Sequence, residues 1–175
     1  MRDPVDVERK LLEDAARMDF IHALRLLENA HPDRPRIGES LRPRDDAVRF
    51  GQDPSLSFEP GALRSFTPAT GEAKARLAVN FFGLFGPNGP LPLHMTEYAR
   101  ERARNHGDPT LAAFSDICHH RMLSLFYRAR ASAEPTISLD RPESDRFGDY
   151  VGSLFGIGSP AMQGRDEIGD FAKRH

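Results

Sequence analysis

The residues best suited to chemistry lie in one short stretch, residues 116–121, which reads DICHHR. A carboxylate, a thiol and two imidazoles are the groups that zinc sites and nucleophilic hydrolases use. Asp116 and His120 are four residues apart, so on a helix they share a face and can form a hydrogen bond. One hypothesis is therefore a small metal-dependent or nucleophilic hydrolase that uses Asp116, Cys118, His119 and His120.

The spacing of these residues argues against both kinds of site. Neighbours such as His119 and His120 do not easily reach one metal ion, because a helical zinc site needs histidines about four residues apart. Cys118 falls on an apolar stripe of the same predicted helix, where a buried thiol is inert. We therefore expect no catalytic residue, no metal ligand and no cofactor. The preferred interpretation is that Asp116, His120 and Arg121 form a polar cluster that ties the helix to a neighbouring element.

Residues 81–92, FFGLFGPNGPLP, join an apolar segment to glycines and prolines. They do not form a nucleotide-binding loop, because Pro90 and Leu91 stand where a phosphate loop has lysine and serine or threonine, and the G-x-G-x-x-G spacing is absent. We expect residues 81–85 to be a strand or strand end in the core, followed by a stiff turn. The sequence leaves open whether the segment only packs in the core or also contacts a partner. The candidate structural or interface residues are Phe82, Leu84, Phe85, Pro87, Leu91, Pro92, His120, Arg121, Phe126 and Tyr127.

The composition is that of a globular chain without a strong charge bias. The 175 residues are 39% hydrophobic and 29% charged, enough for one domain with a core. A formal net charge of −2 gives no electrostatic case for binding nucleic acid. The charged N-terminal segment is unlike a signal peptide, and the longest apolar run is too short to span a bilayer. We expect a cytoplasmic protein that does not insert into a membrane.

The first half of the chain predicts one helix and a few strands. Apolar residues at three- and four-residue spacing predict a helix over residues 5–29, followed by a proline-containing loop. Asp45 and Asp46 in this loop are expected to lie in solvent or to pair with arginines. Short extended pieces are predicted around residues 48–50 and 56–58, a helical turn at GALRSF, and a strand at RLAVNFFGLF.

The second half predicts helices. One helix over residues 93–106 is closed by Gly107, and Asp108 caps a long helix that follows. That helix has one apolar stripe of Leu111, Phe114, Cys118, Met122 and Leu125, and a second of Leu123, Phe126 and Tyr127, so we expect burial on more than one side. A short helix is predicted around residues 146–155, and a further helix begins near the last residue, as in a truncated chain.

These elements predict an α+β fold, a helix-rich single domain with a few short antiparallel strands and long irregular loops. Residues 1–130 are expected to form one core. Residues 131–175 are expected to be a linker and the start of a following helical region.

Four segments, in order, resemble the TssG (ImpH) family of the bacterial type VI secretion baseplate. They begin with FIHALRLLENA and continue with RIGESLRPRDDAVRFGQDPSLSFEPGAL, LAVNFFGLFGPNGPLPLHMTEYARERAR and DPTLAAFSDICHHRMLSLFYRARA. The resemblance extends from about Phe20 to the last residues. The chain is similar to the N-terminal portion of longer family members.

The resemblance implies a structural, non-enzymatic subunit for protein secretion that acts through protein–protein interaction. It implies that the chain joins TssF copies into wedges and contacts TssK adaptors and other baseplate subunits. These partners would attach a cytoplasmic protein to the membrane-associated secretion apparatus.

Overall fold

The computed structural model describes residues 3–71, 73–165 and 167–174. The chain combines helices with a small three-stranded sheet, which confirms the predicted α+β class. The strands are β1 (Arg49–Gly51), β2 (Leu63–Thr67) and β3 (Arg76–Val79). The helices are α1 (Pro4–Asp14), α2 (Phe20–Ala30), α3 (Leu93–Asn105), α4 (Thr110–Ala131), α5 (Pro135–Leu139), α6 (Arg146–Leu154) and α7 (Asp170–Arg174).

The sheet is mixed, with β3 in the centre between β1 and β2. β2 runs antiparallel to β3 as predicted, but β1 runs parallel to it. Parallel strands need a long connection, and residues 52–75, which include β2, supply it. A bulge places Arg64 outside the regular pairing, since Leu63 pairs with Val79 while Ser65 pairs with Ala78.

The single helix predicted over residues 5–29 is wrong, because the chain breaks between α1 and α2. Ala15–Arg17 form a 3₁₀ turn, and Met18 is extended. Asp19 then caps α2, since its carboxylate accepts a hydrogen bond from the backbone N–H of His22 at 3.0 Å. The break allows α1 to contact both α2 and β2.

Two other local predictions fail at the sheet. GALRSF, predicted as a helical turn, contains β2, whose Leu63 and Phe66 are buried against β3. No strand covers residues 56–58, where Phe58 is exposed. The other strand predictions hold, although β3 ends at Val79 and residues 81–85 form bends rather than a strand.

The helix boundaries in the second half follow the local signals. α3 ends before Gly107, which has a left-handed φ of 62°. Asp108 accepts a hydrogen bond from the backbone N–H of Thr110 at 3.1 Å, as expected of a cap. α6 lies where the short helix was predicted, and Asp145 caps it through the backbone N–H of Gly148 at 3.0 Å.

Phe50 of β1 shows how the core is layered. Its ring lies 6.5 Å from that of Phe20 in α2 and 5.5 Å from that of His120 in α4. Side chains from α2, β1 and α4 therefore meet in the core of the first unit. The largest fully buried side chains are Tyr127, Phe50, Phe85, Leu11, Leu24, Leu27, Leu63, Leu77, Leu123, Ile137, His119 and Val48.

The chain forms two compact units, Met1–Arg128 and Ala129–His175. The second unit contains α5, α6 and α7, and its Ile137 is buried. The predicted domain division, residues 1–130 and 131–175, stays a prediction. Among the described helices, none combines the length and apolar character that crossing a bilayer requires.

Candidate functional site

The inner face of α4, the face that is buried, is largely polar. It consists of Ser115, His119, His120, Leu123, Ser124 and Tyr127. His119 is 1% exposed and His120 is 6% exposed. Because successive helical residues rotate by about 100°, the two rings reach different parts of the fold. Buried imidazoles need hydrogen-bond partners, and each ring has two.

His120 joins α4 to β1 and to the loop before it. Its Nδ1 accepts a hydrogen bond from the backbone N–H of Phe50 at 3.2 Å, and its Nε2–H donates to the Asp46 carboxylate at 2.9 Å. These partners require the neutral ring with the proton on Nε2. Burial lowers the pKa of His120, and the charges of Arg49 and Arg121 act in the same direction, while Asp46 opposes them.

His119 joins α4 to the loop after β3, and it does so in the opposite tautomer. Its Nε2 accepts a hydrogen bond from the backbone N–H of Leu84 at 3.0 Å. Its Nδ1–H donates to the Asp116 carboxylate, also at 3.0 Å. The two neighbouring histidines thus hold different segments, each through an acceptor nitrogen and a donor nitrogen.

Asp116 connects this arrangement to the sheet. Its carboxylate accepts hydrogen bonds from the backbone N–H of Gln52 at 2.9 Å and from Arg76 Nη2 at 2.8 Å. Burial opposes ionisation, but the hydrogen bonds from His119, Gln52 and Arg76 outweigh it and lower the pKa of Asp116. Gly51 allows this approach, because a Cβ there would lie 2.2 Å from the Asp116 carboxylate.

Residues 81–92 are held by side chains rather than by strand pairing. Gln52 donates from Nε2 to the carbonyl of Phe85 at 2.8 Å, and its Oε1 accepts from the N–H of Phe85 at 2.9 Å. The N–H of Gly86 donates to the Thr96 hydroxyl at 3.0 Å. Gly83, with a φ of 146°, lies so close to Gln52 that a Cβ would be 2.1 Å from its Oε1. Glycine is therefore required for this clamp.

The outer face of α4 is apolar and exposed. It consists of Phe114, Ile117, Cys118, Met122, Leu125 and Phe126. The expected burial is wrong for Phe114, Met122, Leu125 and Phe126, and so is the interpretation of Cys118 as a buried thiol, whereas Leu123 and Tyr127 are buried as predicted. The first predicted stripe lies on the exposed face and the second is divided between the two faces. Hydrogen-bond partners satisfy the polar residues of the inner face and allow that face to be buried.

An aromatic cluster continues the outer face towards the loop after β3. Phe126 lies 5.8 Å from Phe81, measured between ring centroids, and both rings pack over the buried Phe20. Phe126 is 49% exposed and Phe81 is 44% exposed. Exposed apolar surface of this kind is typical of contacts with other proteins.

Comparison with known proteins identifies the family of this chain. A profile of the family described as "Type VI secretion, TssG" matches residues 14–175. The chain belongs to the TssG family. The membership predicted from the sequence is confirmed, and it supports a role in the type VI secretion baseplate. Comparisons with curated proteins and with solved structures gave no match.

The other candidate residues of this TssG-family chain lie in varied environments. Phe85 is buried, and Tyr127 is buried with its hydroxyl donating to Glu28 at 3.3 Å. Arg121 is exposed and does not belong to the cluster around Asp116. The half-buried residues are Phe82, Leu84 and Leu91, and the exposed ones are Pro87 and Pro92.

The histidine pair of the TssG chain links segments of the fold. Each ring nitrogen of His119 and His120 already has a protein partner, so none is directed at a substrate position. Cys118 lies on the outer face, away from both rings. Within residues 3–71, 73–165 and 167–174, no group of three or more metal-ligating side chains converges.

Sequence reasoning missed three partners of the site, namely Gln52, Arg76 and Thr96. Each is separated by ten or more residues from the group it binds. Asp46 was expected in solvent or beside an arginine, yet it is buried against His120. A local sequence pattern carries no signal for such distant pairings.

Proposed function

We propose that this chain is a structural subunit of the type VI secretion baseplate, which joins TssF copies into wedges and contacts TssK adaptors. The observation that carries the proposal is the TssG family match over residues 14–175. The specific partners are those implied by the sequence resemblance. The chain acts in the cytoplasm and reaches the membrane-associated apparatus through these partners.

The contrast between the two faces of α4 supports this role. The inner face fixes the helix to the sheet and to residues 81–92, so the outer face is presented on a rigid support. A rigid apolar surface loses little conformational entropy when a partner covers it. We infer that the outer face of α4 and the exposed prolines Pro87 and Pro92 contact neighbouring subunits.

The proposal includes that the chain is not an enzyme. Support comes from the occupied nitrogens of His119 and His120 and from the separation of Cys118 from them. The hydrolase hypothesis is tested by metal analysis of the purified chain. Stoichiometric zinc in the wild-type chain, together with its loss in a His119→Asn variant, would contradict the non-enzymatic role.

Co-expression with TssF and TssK, followed by size-exclusion chromatography, tests the structural role. We expect the wild-type chain to elute with TssF and TssK in one complex. A double variant, Phe114→Gln with Ile117→Gln, replaces two outer-face side chains that are each 68% exposed. We expect this variant to fold but to elute separately from TssF and TssK.

A matched control separates this surface from a general loss of apolar area. Leu41 and Phe58 are 97% and 78% exposed and lie in loops outside α4. We expect Leu41→Gln with Phe58→Gln to leave complex formation intact. Elution of the wild-type chain as a separate species in the presence of both subunits would contradict the proposed function itself.

A further inference from the structure

A second surface of the first unit carries an open pocket of about 360 Å³. Side chains from the sheet, α3 and the start of α4 line it. Its charged lining residues are Arg64, Arg76, Arg100, Arg104, Asp53 and Asp116. Alanine and proline residues form much of the remaining wall. The pocket therefore combines a small apolar wall with a group of guanidinium ions.

The two inner arginines are held by carboxylates. Arg76 binds Asp53 at 2.8 Å and Asp116 at 2.8 Å. Arg64, which the β2 bulge places outside the regular pairing, lies 3.4 Å from Asp53 and 3.2 Å from Glu59. These contacts fix both guanidinium groups in position before any ligand arrives.

The two outer arginines differ, because no carboxylate of the described residues holds them in an ion pair. Arg100 and Arg104 are exposed and lie one turn apart on α3. Neither forms an ion pair within the part of the chain that the structure describes. Glu97 and Glu101 border the adjoining pocket on the same helix, yet they remain outside ion-pair distance of these arginines. Arg100 and Arg104 thus place two guanidinium groups at the pocket rim that form no ion pair with a described residue.

We propose that this pocket receives a carboxylate side chain from an acidic segment of a partner protein. The inference rests on the proposed function, since it names the chemistry of one contact in the assembly. Arginine presents paired N–H donors that match a carboxylate. Asp53 and Asp116 in the pocket wall already bind Arg76, so the exposed Arg100 and Arg104 are the donors left for an incoming carboxylate.

The test uses the full chain and a double charge reversal, Arg100→Glu with Arg104→Glu. Because both side chains are exposed, we expect an unchanged thermal unfolding midpoint. Arg42→Glu with Arg165→Glu is the matched control, since it makes the same change in charge at exposed positions outside the pocket. Complexes with TssF and TssK are measured at about 0.15 M salt.

The expected result is at least about tenfold weaker complex formation for the pocket variant than for the control. Equal affinity of the two variants would overturn the inference while leaving the proposed function intact. If the wild-type chain forms no complex, the proposed function fails, and a second measurement on the chain alone decides the pocket.

That second measurement titrates the chain with a hexaglutamate peptide and, separately, with inorganic phosphate. We expect peptide binding that the pocket variant loses and the control retains, and weaker binding of phosphate. Absence of peptide binding, or binding equal in both variants, would overturn the inference. Phosphate binding as tight as peptide binding would overturn the assignment of a carboxylate.

Discussion

The inner face of α4 carries serines, histidines and a tyrosine, whereas its outer face carries phenylalanine, isoleucine, methionine and leucine. The inner face is buried because its histidines and its tyrosine have hydrogen-bond partners in other segments, while its serines donate to carbonyls of α4 itself. The outer face is exposed although its residues are those usually found in a core. In a subunit of an assembly, apolar residues can be kept for a surface that another chain covers.

The largest expected effect comes from two neighbouring residues on opposite faces. Leu123 is completely buried, and Met122 is 53% exposed. We expect Leu123→Ala to lower the free energy of unfolding by about 3 kcal/mol, because it leaves a cavity in the core. Met122→Ala should change it by about 0.5 kcal/mol or less. Denaturant unfolding measures both, and equal losses would show that the two faces are not distinct.

A smaller loss is expected when the ionic contacts of the inner face are removed. Asp116→Ala leaves Arg76, His119 and the N–H of Gln52 without their carboxylate. We expect a loss of about 2 kcal/mol, less than for a fully buried pair because Arg76 is partly exposed to solvent.

The exposed ion pair between Asp6 and Arg9 provides the control. Both side chains are more than half exposed, so Asp6→Ala should lower the free energy of unfolding only slightly. The comparison uses the same denaturation experiment. If Asp116→Ala were no more harmful than Asp6→Ala, the carboxylate at the inner face would not hold α4 to the sheet.

The ends of α4 follow from its sequence, but the orientation of its faces does not. Asp108 and Gly107 are local signals, and they mark the boundary between α3 and α4 correctly. The inner face depends on Asp46 and Gln52, which lie more than sixty residues away along the chain. Apolar periodicity finds a stripe but cannot tell whether the chain itself or another chain covers it.

The contrast between local signals and distant contacts also explains the outcome of the predictions for the sheet and the first helix. Asp19 is a residue type that favours a helix N-cap, but the apolar spacing continues across it and favoured one long helix. β2 was missed because five residues with a bulge show no clean alternation. The glycines and prolines of residues 86–92 correctly predicted a turn, although residues 81–85 are bends and not the predicted strand. The side-chain clamp by Gln52 had no local counterpart in the sequence.

A weaker effect on stability is expected from a change in pH, and it acts through His120 on the inner face. In the unfolded chain a histidine binds a proton below a pKa of about 6.5. His120 resists protonation in the folded chain because burial lowers its pKa. Stability is therefore complete above about pH 6.5 and falls as the pH drops towards the lowered folded value, by at most about 1.4 kcal/mol per pH unit for one proton.

Denaturant unfolding between pH 7.5 and pH 5.5, a range of about two units around the histidine pKa, measures this slope. We expect His120→Asn to reduce the slope, because the titrating ring is gone. His22, which is exposed on α2, is the matched control, and His22→Asn should leave the slope unchanged. A slope that persists in His120→Asn would assign the pH dependence to other groups.

The smallest effect on stability is expected from modification of Cys118, because this reaction tests the exposure of the thiol and does not disturb the fold. It is the one cysteine of the chain and lies on the outer face of α4. We expect a thiol reagent to modify it in the native chain about as fast as in the unfolded chain, with little change in stability. If TssF or TssK covers the outer face, the same reaction should slow in the complex. A thiol that is protected in the isolated chain would place this face in the core, and one that reacts equally in the complex would exclude it from the covered surface.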